Sequence, residues 1–265
     1  MPATEQVMEA LRGVLDPELH LSIVELDMVK GLELADGGRR ATVTVALTVA
    51  GCPMRTEITE RVTSALTAVG VDSVDVQLTV MSEAELSAVR DKMRAHQGGG
   101  AGAGAAAGRP LGHESGVPNP FMSPESRTRI LGISSGKGGV GKSSVSVNLA
   151  VALAQAGQSV GILDADVYGF SVPKMLGISS EPVVIDDMII PPVAFGVGCI
   201  SIGFFVGDDQ PVMWRGPMLH KALEQFLVDV YWGDPDFLVV DMPPGTGDVA
   251  LSMAQYLPRS EIYVV

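Results

Sequence analysis

The sequence predicts two domains, an α/β domain with a mostly parallel sheet preceded by a small α+β domain. Three observations carry this reading. Residues 127–265 alternate apolar strand-like runs with helical patterns, as a parallel sheet with crossover helices requires. A loop from Gly136 to Lys142, holding four glycines and two lysines, stands between one such run and one such helix. Residues 97–126 open with "QGGGAGAGAAAG", which lacks hydrophobic periodicity and reads as a flexible linker between residues 1–96 and 127–265.

Taken in order, the first domain begins with a helix over residues 4–15 and continues through "DPELHLSIVELDMVKGLEL" to a turn at Asp36-Gly37-Gly38. These residues tolerate positive φ and suit a hairpin. The alternation from Ala41 to Val49 predicts a half-buried strand, and "PMRTEITERVTSALTAVG" predicts a helix between Pro53 and Gly70. "VDSVDVQLTV" reads as another strand, and Ser82 with Glu85 as a capping box opening a last helix.

In the second domain "RILGISS" predicts a buried strand and "SSVSVNLAVALAQAG" a helix stopped by Gly157. "SVGILDAD" predicts a strand with carboxylates at its C-terminal end. Leu219, Leu223, Phe226, Leu227 and Val230 recur at helical spacing in "MLHKALEQFLVDVYWG". "DFLVVDMPPGTGD" supplies a strand ending in Asp241, followed by a helix over residues 247–257 and the strand "EIYVV". The uncharged stretch 189–207 has the length of a membrane span. Its two prolines, four glycines and alternating "CISIGFF" predict two short strands and a turn instead.

The formal net charge of −13 argues against nucleic acid as the main partner, because such binding needs clustered Lys and Arg. Cys52 and Cys199, far apart in sequence, form no CxxC pair and fit a reducing cytoplasm. The N-terminus lacks the basic-then-apolar pattern of a signal peptide, so neither export nor a membrane location is expected.

Residues Gly136-Lys137-Gly138-Gly139-Val140-Gly141-Lys142-Ser143 fit G-x-x-x-x-G-K-[ST] in the required place, after a strand and opening a helix. Such a loop turns backbone N–H groups toward phosphate oxygens. Lys142 then reaches the β and γ phosphates of ATP, and Ser143 ligates Mg²⁺. Ser144 completes the loop's helix start. Asp164 and Asp166 stand at a strand end facing the loop, where Asp166 is placed to position or deprotonate the attacking water. Asp241 joins Ser143 and Asp164 as the Mg²⁺ set, and Gly245 and Gly247 free the next loop to respond to the γ-phosphate.

The second lysine, Lys137, makes the loop resemble the deviant phosphate loop KGGxGK[ST] of the MinD/ParA/Mrp class of dimerising ATPases. By that resemblance Lys137 crosses a homodimer interface to the partner's nucleotide and neutralises charge on the transferred phosphoryl group. "ILDADVYGFSVPKMLG" and "VVDMPPGTGD" resemble the switch segments of the Mrp/ApbC iron–sulfur cluster carriers more closely than those of MinD or ParA. "LDPELHLSIVELDMVKGLEL" and "LTVAGCPM" resemble the PaaD/SufT-like domain often fused ahead of them, with Cys52 on that domain's cysteine as a reactive thiol. The resemblance implies a homodimeric, Mg-dependent, cytoplasmic ATPase that passes [4Fe–4S] clusters to client apoproteins. The family's C-terminal portion, with a CxxC pair and the adenine-recognising segment, is expected to be missing from this chain. A MinD/ParA-like positioning ATPase and a non-catalytic client-binding adaptor are the alternative outputs of the same architecture.

Overall fold

The computed structural model describes residues 4–48, 54–96, 119–166, 169–185, 188–205, 216–245 and 248–265. The chain divides into two compact units, residues 1–94 and 95–265.

In the first unit, helix α1 (Thr4–Arg12) buries Val7 and Leu11, one turn apart. Strands β1 (Val29–Ala35) and β2 (Arg40–Leu47) pair antiparallel. Their turn runs through three successive left-handed residues, Asp36 (φ 53°), Gly37 (φ 69°) and Gly38 (φ 88°), which explains two glycines there. Helix α2 (Arg55–Ala68) crosses over to β3 (Ser73–Val80), which lies parallel to β2. Ala41, Val43 and Val45 of β2 are buried, as are Ile58, Val62 and Leu66 at four-residue spacing on α2. Helix α3 (Glu83–His96) opens with the expected capping pair, the Ser82 N–H donating to Glu85 Oε2 at 2.8 Å. The strand expected to reach Val49 ends at Leu47, and Val49 lies outside the described residues with Cys52 and Pro53.

The second unit is a six-stranded sheet. It is built from β4 (Arg129–Ser134), β5 (Val160–Asp164), β8 (Val193–Ala194), β9 (Val197–Ser201), β10 (Phe237–Asp241) and β11 (Glu261–Val264). Their order is β11-β4-β10-β5-β9-β8, with every pair parallel except β8 with β9. Beside it β6 (Val183–Ile185) and β7 (Met188–Ile190) form an antiparallel pair. Helices α4 (Lys142–Gln155) and α5 (Val172–Met175) supply one core, α6 (Gly216–Val228) and α7 (Asp248–Tyr256) the other.

Successive strand residues point to opposite faces, so Ile162, Cys199 and Val239 join the core with Val147 and Ala150 of α4. Leu163, Ile200, Leu238 and Val240 join the core with Leu223, Phe226 and Leu227 of α6. Burial on both faces explains why these strands read as unbroken apolar runs.

The stretch 189–207 holds β8 and β9 joined by a turn at Phe195 (φ 53°) and Gly196 (φ 77°), the two positive φ values that a tight hairpin demands. Among the described residues no helix is long and apolar enough to cross a membrane. The helix read through "VDVYWG" stops at Val228. The Ile189 N–H donates to Asp229 O and the Tyr231 N–H to Ile189 O, both at 2.8 Å, drawing the chain alongside β7. A tertiary pairing thus overrides the helical spacing, while Val230 stays buried.

Gly161 lets Trp232 lie against β5. A Cβ built there would come within 2.6 Å of the indole, whose N–H is fixed by Phe226 O at 2.9 Å. Gly161→Ala is therefore expected to lower stability by about 1–3 kcal/mol through overpacking, read as a lower urea midpoint with an unchanged slope.

Candidate functional site

The site gathers where β4, β5 and β10 end. Asp241 sits opposite Asp164 in the ladder of β10 with β5 and opposite Ile133 in that with β4, so the sheet sets both carboxylates beside the loop that leaves β4. That loop, residues 135–141, turns at Gly139 (φ 76°) and Gly141 (φ 94°) and delivers Lys142 as the first residue of α4. Gly136, Gly138, Gly139 and Gly141 meet nothing within 4 Å of a built Cβ, leaving an open cradle over the helix start. The Ser135 hydroxyl donates to Lys137 O at 3.0 Å, and the Gly245 N–H donates to Ser135 O at 2.7 Å, tying the loop after β10 to the glycine loop.

Beneath the cradle, Lys142 is buried with its ammonium 2.7 Å from Asp241 Oδ2 and 3.5 Å from Asp166 Oδ2. The Ser143 hydroxyl donates to Asp241 Oδ2 at 2.6 Å. One cation thus stands between two carboxylates, with a hydroxyl on the same oxygen. This donor set fits a phosphate and a hard cation: the ammonium can turn to phosphate, freeing oxygen ligands for Mg²⁺.

Asp164 has a different setting. It is fully buried, and its oxygens accept from the N–H groups of Asp166, Ser171 and Val172 and from the Ser201 hydroxyl, at 3.1 to 3.3 Å. Burial, reinforced by the charge of Asp241, pushes its carboxyl up to about 7. The sequence groups Asp164 with the Mg²⁺ ligands; in the structure its oxygens tie down the segment from Asp166 into α5.

Lys137 is exposed, and among the described residues no hydrogen bond or ion pair holds its ammonium. Ser144 is exposed in the first turn of α4, its carbonyl accepting from Asn148 Nδ2 at 2.8 Å, and Val140 is half-buried in the loop. Cys52 and Gly247 lie outside the described residues. Cys199 is fully buried in the core beside α4, and burial, then the Asp164 charge, pushes its thiol well above the usual range.

Three serines escaped the sequence reading: Ser135, Ser201 and Ser146, whose Oγ lies 2.5 Å from Asp241 Oδ1. Only Ser146 left a local signal, standing one turn after Lys142 on the same helix face.

Residues 126–265 match the family model described as NUBPL iron-transfer P-loop NTPase, and residues 4–78 match one described as iron-sulfur cluster assembly protein. The chain is 48% identical over 260 residues to the iron-sulfur cluster carrier protein of Mycobacterium leprae, covering 98% of this chain and 63% of that protein. It is 40% identical over 271 residues to the protein of the same name from Synechocystis, covering 100% and 68%. The chain thus spans less than two thirds of its mycobacterial relative's length. A solved nucleotide-binding protein from Archaeoglobus fulgidus, in complex with ADP, is 36% identical, covering 52% of this chain and 53% of its own, with a TM-score of 0.45.

Proposed function

The chain belongs to the NUBPL-type iron-transfer P-loop NTPase family, and on that premise we propose that it binds and hydrolyses Mg-ATP as a homodimer and carries iron–sulfur clusters to client apoproteins in the cytoplasm. The observation supporting this most directly is the Asp241 carboxylate clasped by Lys142 and Ser143 under an open glycine loop. Lys142 exchanges Asp241 for the β and γ phosphates, and the loop N–H groups from Gly136 to Ser144 line the rest of that cradle. Ser143, Asp164 and Asp241 form the Mg²⁺ set, with Asp164 also tying down the segment that follows it. When bound, Mg²⁺ neutralises charge on the phosphate oxygens.

Asp166, 8% exposed and 3.5 Å from Lys142, positions the attacking water and accepts its proton. Lys137 acts on the partner's nucleotide. Gly245, whose φ is 88°, lets the loop after β10 respond to the γ-phosphate. The cluster is cargo, and Cys199, sealed in the core, does not fit as its ligand. Cys52 is the candidate thiol of the first unit.

Asp166→Asn keeps the shape of the side chain and removes its proton acceptor. ATP should bind as in the wild type while turnover falls by roughly 100-fold, as for loss of a general base; unchanged turnover moves the role elsewhere.

The cargo reading is tested by anaerobic reconstitution with iron and sulfide, followed by transfer to an apo-ferredoxin with and without ATP. Transfer that ATP accelerates supports it. Nucleotide-dependent sedimentation with liposomes or DNA and no transfer would favour a positioning ATPase, and client binding indifferent to ATP an adaptor.

A further inference from the structure

We propose that Ser146 is a positioning residue for the nucleotide site, holding the inner oxygen of Asp241 so that the outer one stays turned to Lys142 and Ser143. The inference rests on the Mg-ATP reading above.

Asp241 is fully buried, so both its oxygens need donors. Oδ2 receives Lys142 Nζ at 2.7 Å and Ser143 Oγ at 2.6 Å, the two groups assigned to phosphate and metal. Both must loosen from Asp241 when Mg-ATP enters. Oδ1 has Ser146 Oγ at 2.5 Å. Ser146 is itself fully buried in α4, one turn after Lys142. It is the donor that stays. A charge-assisted hydrogen bond from a rigid helix then fixes the carboxylate plane while its other contacts change. Partners of this kind behind a metal ligand are worth about 10 to 100-fold in metal affinity.

A rival use of the same hydroxyl exists, since Ser146 Oγ is also 3.1 Å from Lys142 O, one turn back on the helix. A proton spent there would bend or pin α4 and leave Asp241 unheld. The two uses predict different magnesium behaviour.

The test measures binding of a fluorescent ADP analogue in EDTA and across a Mg²⁺ titration, for the wild type, Ser146→Ala and Ser146→Thr. In EDTA the variants should match the wild type within about twofold, because Lys142 and the loop are intact. The Mg²⁺ midpoint should rise about tenfold in Ser146→Ala and return to the wild-type value in Ser146→Thr, which keeps the hydroxyl. Unshifted midpoints, or equal losses with and without Mg²⁺, overturn the proposal in favour of the helix-backbone role. If Ser146→Ala does not fold, Ser146→Cys carries the same comparison, its thiol being a weak donor. A wild type whose ADP binding ignores Mg²⁺ overturns the metal assignment of Ser143 and Asp241 itself, a result distinct from failure of Ser146 alone.

Discussion

Lys137→Ala is expected to cut ATP turnover by about 1000-fold or more, the range of a removed arginine finger, with ATP affinity changed less than about threefold. The reason lies in how differently the loop treats its two lysines. Lys142 is buried against two carboxylates of its own subunit, whereas Lys137 is exposed. Its backbone is pinned by the Ser135 hydroxyl, so the loop conformation does not depend on its side chain. A charge so placed contributes little to holding nucleotide in its own subunit and is available to a second copy.

Mixing variants decides between the two subunits. In a dimer of Lys137→Ala with Asp166→Asn, one site keeps Asp166 and receives Lys137 from the other copy. With half of the dimers mixed and one intact site in each, the rate should recover to about a quarter of wild type. No recovery on mixing would place Lys137 in its own subunit's site and remove the main argument for a shared one.

The glycine loop was legible because its chemistry is contiguous: glycines, Lys142 and Ser143 occupy neighbouring positions, and only a strand before and a helix after were needed to confirm the setting. Asp241 and Asp164 were legible as strand-terminal carboxylates, since a parallel sheet collects such ends on one edge. What each carboxylate does was not. Ser171, Val172 and Ser201 converge on Asp164, and no spacing rule links residues seven, eight and 37 positions away. Ser146 meets Asp241 across 95 positions, a separation that no local pattern spans. The end of α6 was misjudged for a similar reason, because Val230 is buried from an extended backbone as readily as from a helix once β7 supplies the pairing.

Lys142→Ala is expected to lower ATP affinity by at least about 100-fold, a loss of about 2.7 kcal/mol or more. Lys142 is the one charge the site aims at the β and γ phosphates in this reading, but its removal does a second thing. Asp241 would remain fully buried with two hydroxyl donors and no cation, and stripping one partner from a buried ion pair costs about 3–5 kcal/mol of stability. A weak binder could therefore be a partly unfolded one. Lys142→Ala combined with Asp241→Asn separates the effects when ATP binding is read in EDTA, where Asp241 has no metal to hold, since the neutral amide no longer needs the ammonium and the hydroxyls can still meet it. The urea midpoint should recover most of its loss in the double variant while ATP affinity stays at least about 100-fold down. Recovery of stability together with near-native ATP affinity would mean that the lysine serves only to neutralise Asp241, and that phosphate is held by the loop N–H groups alone.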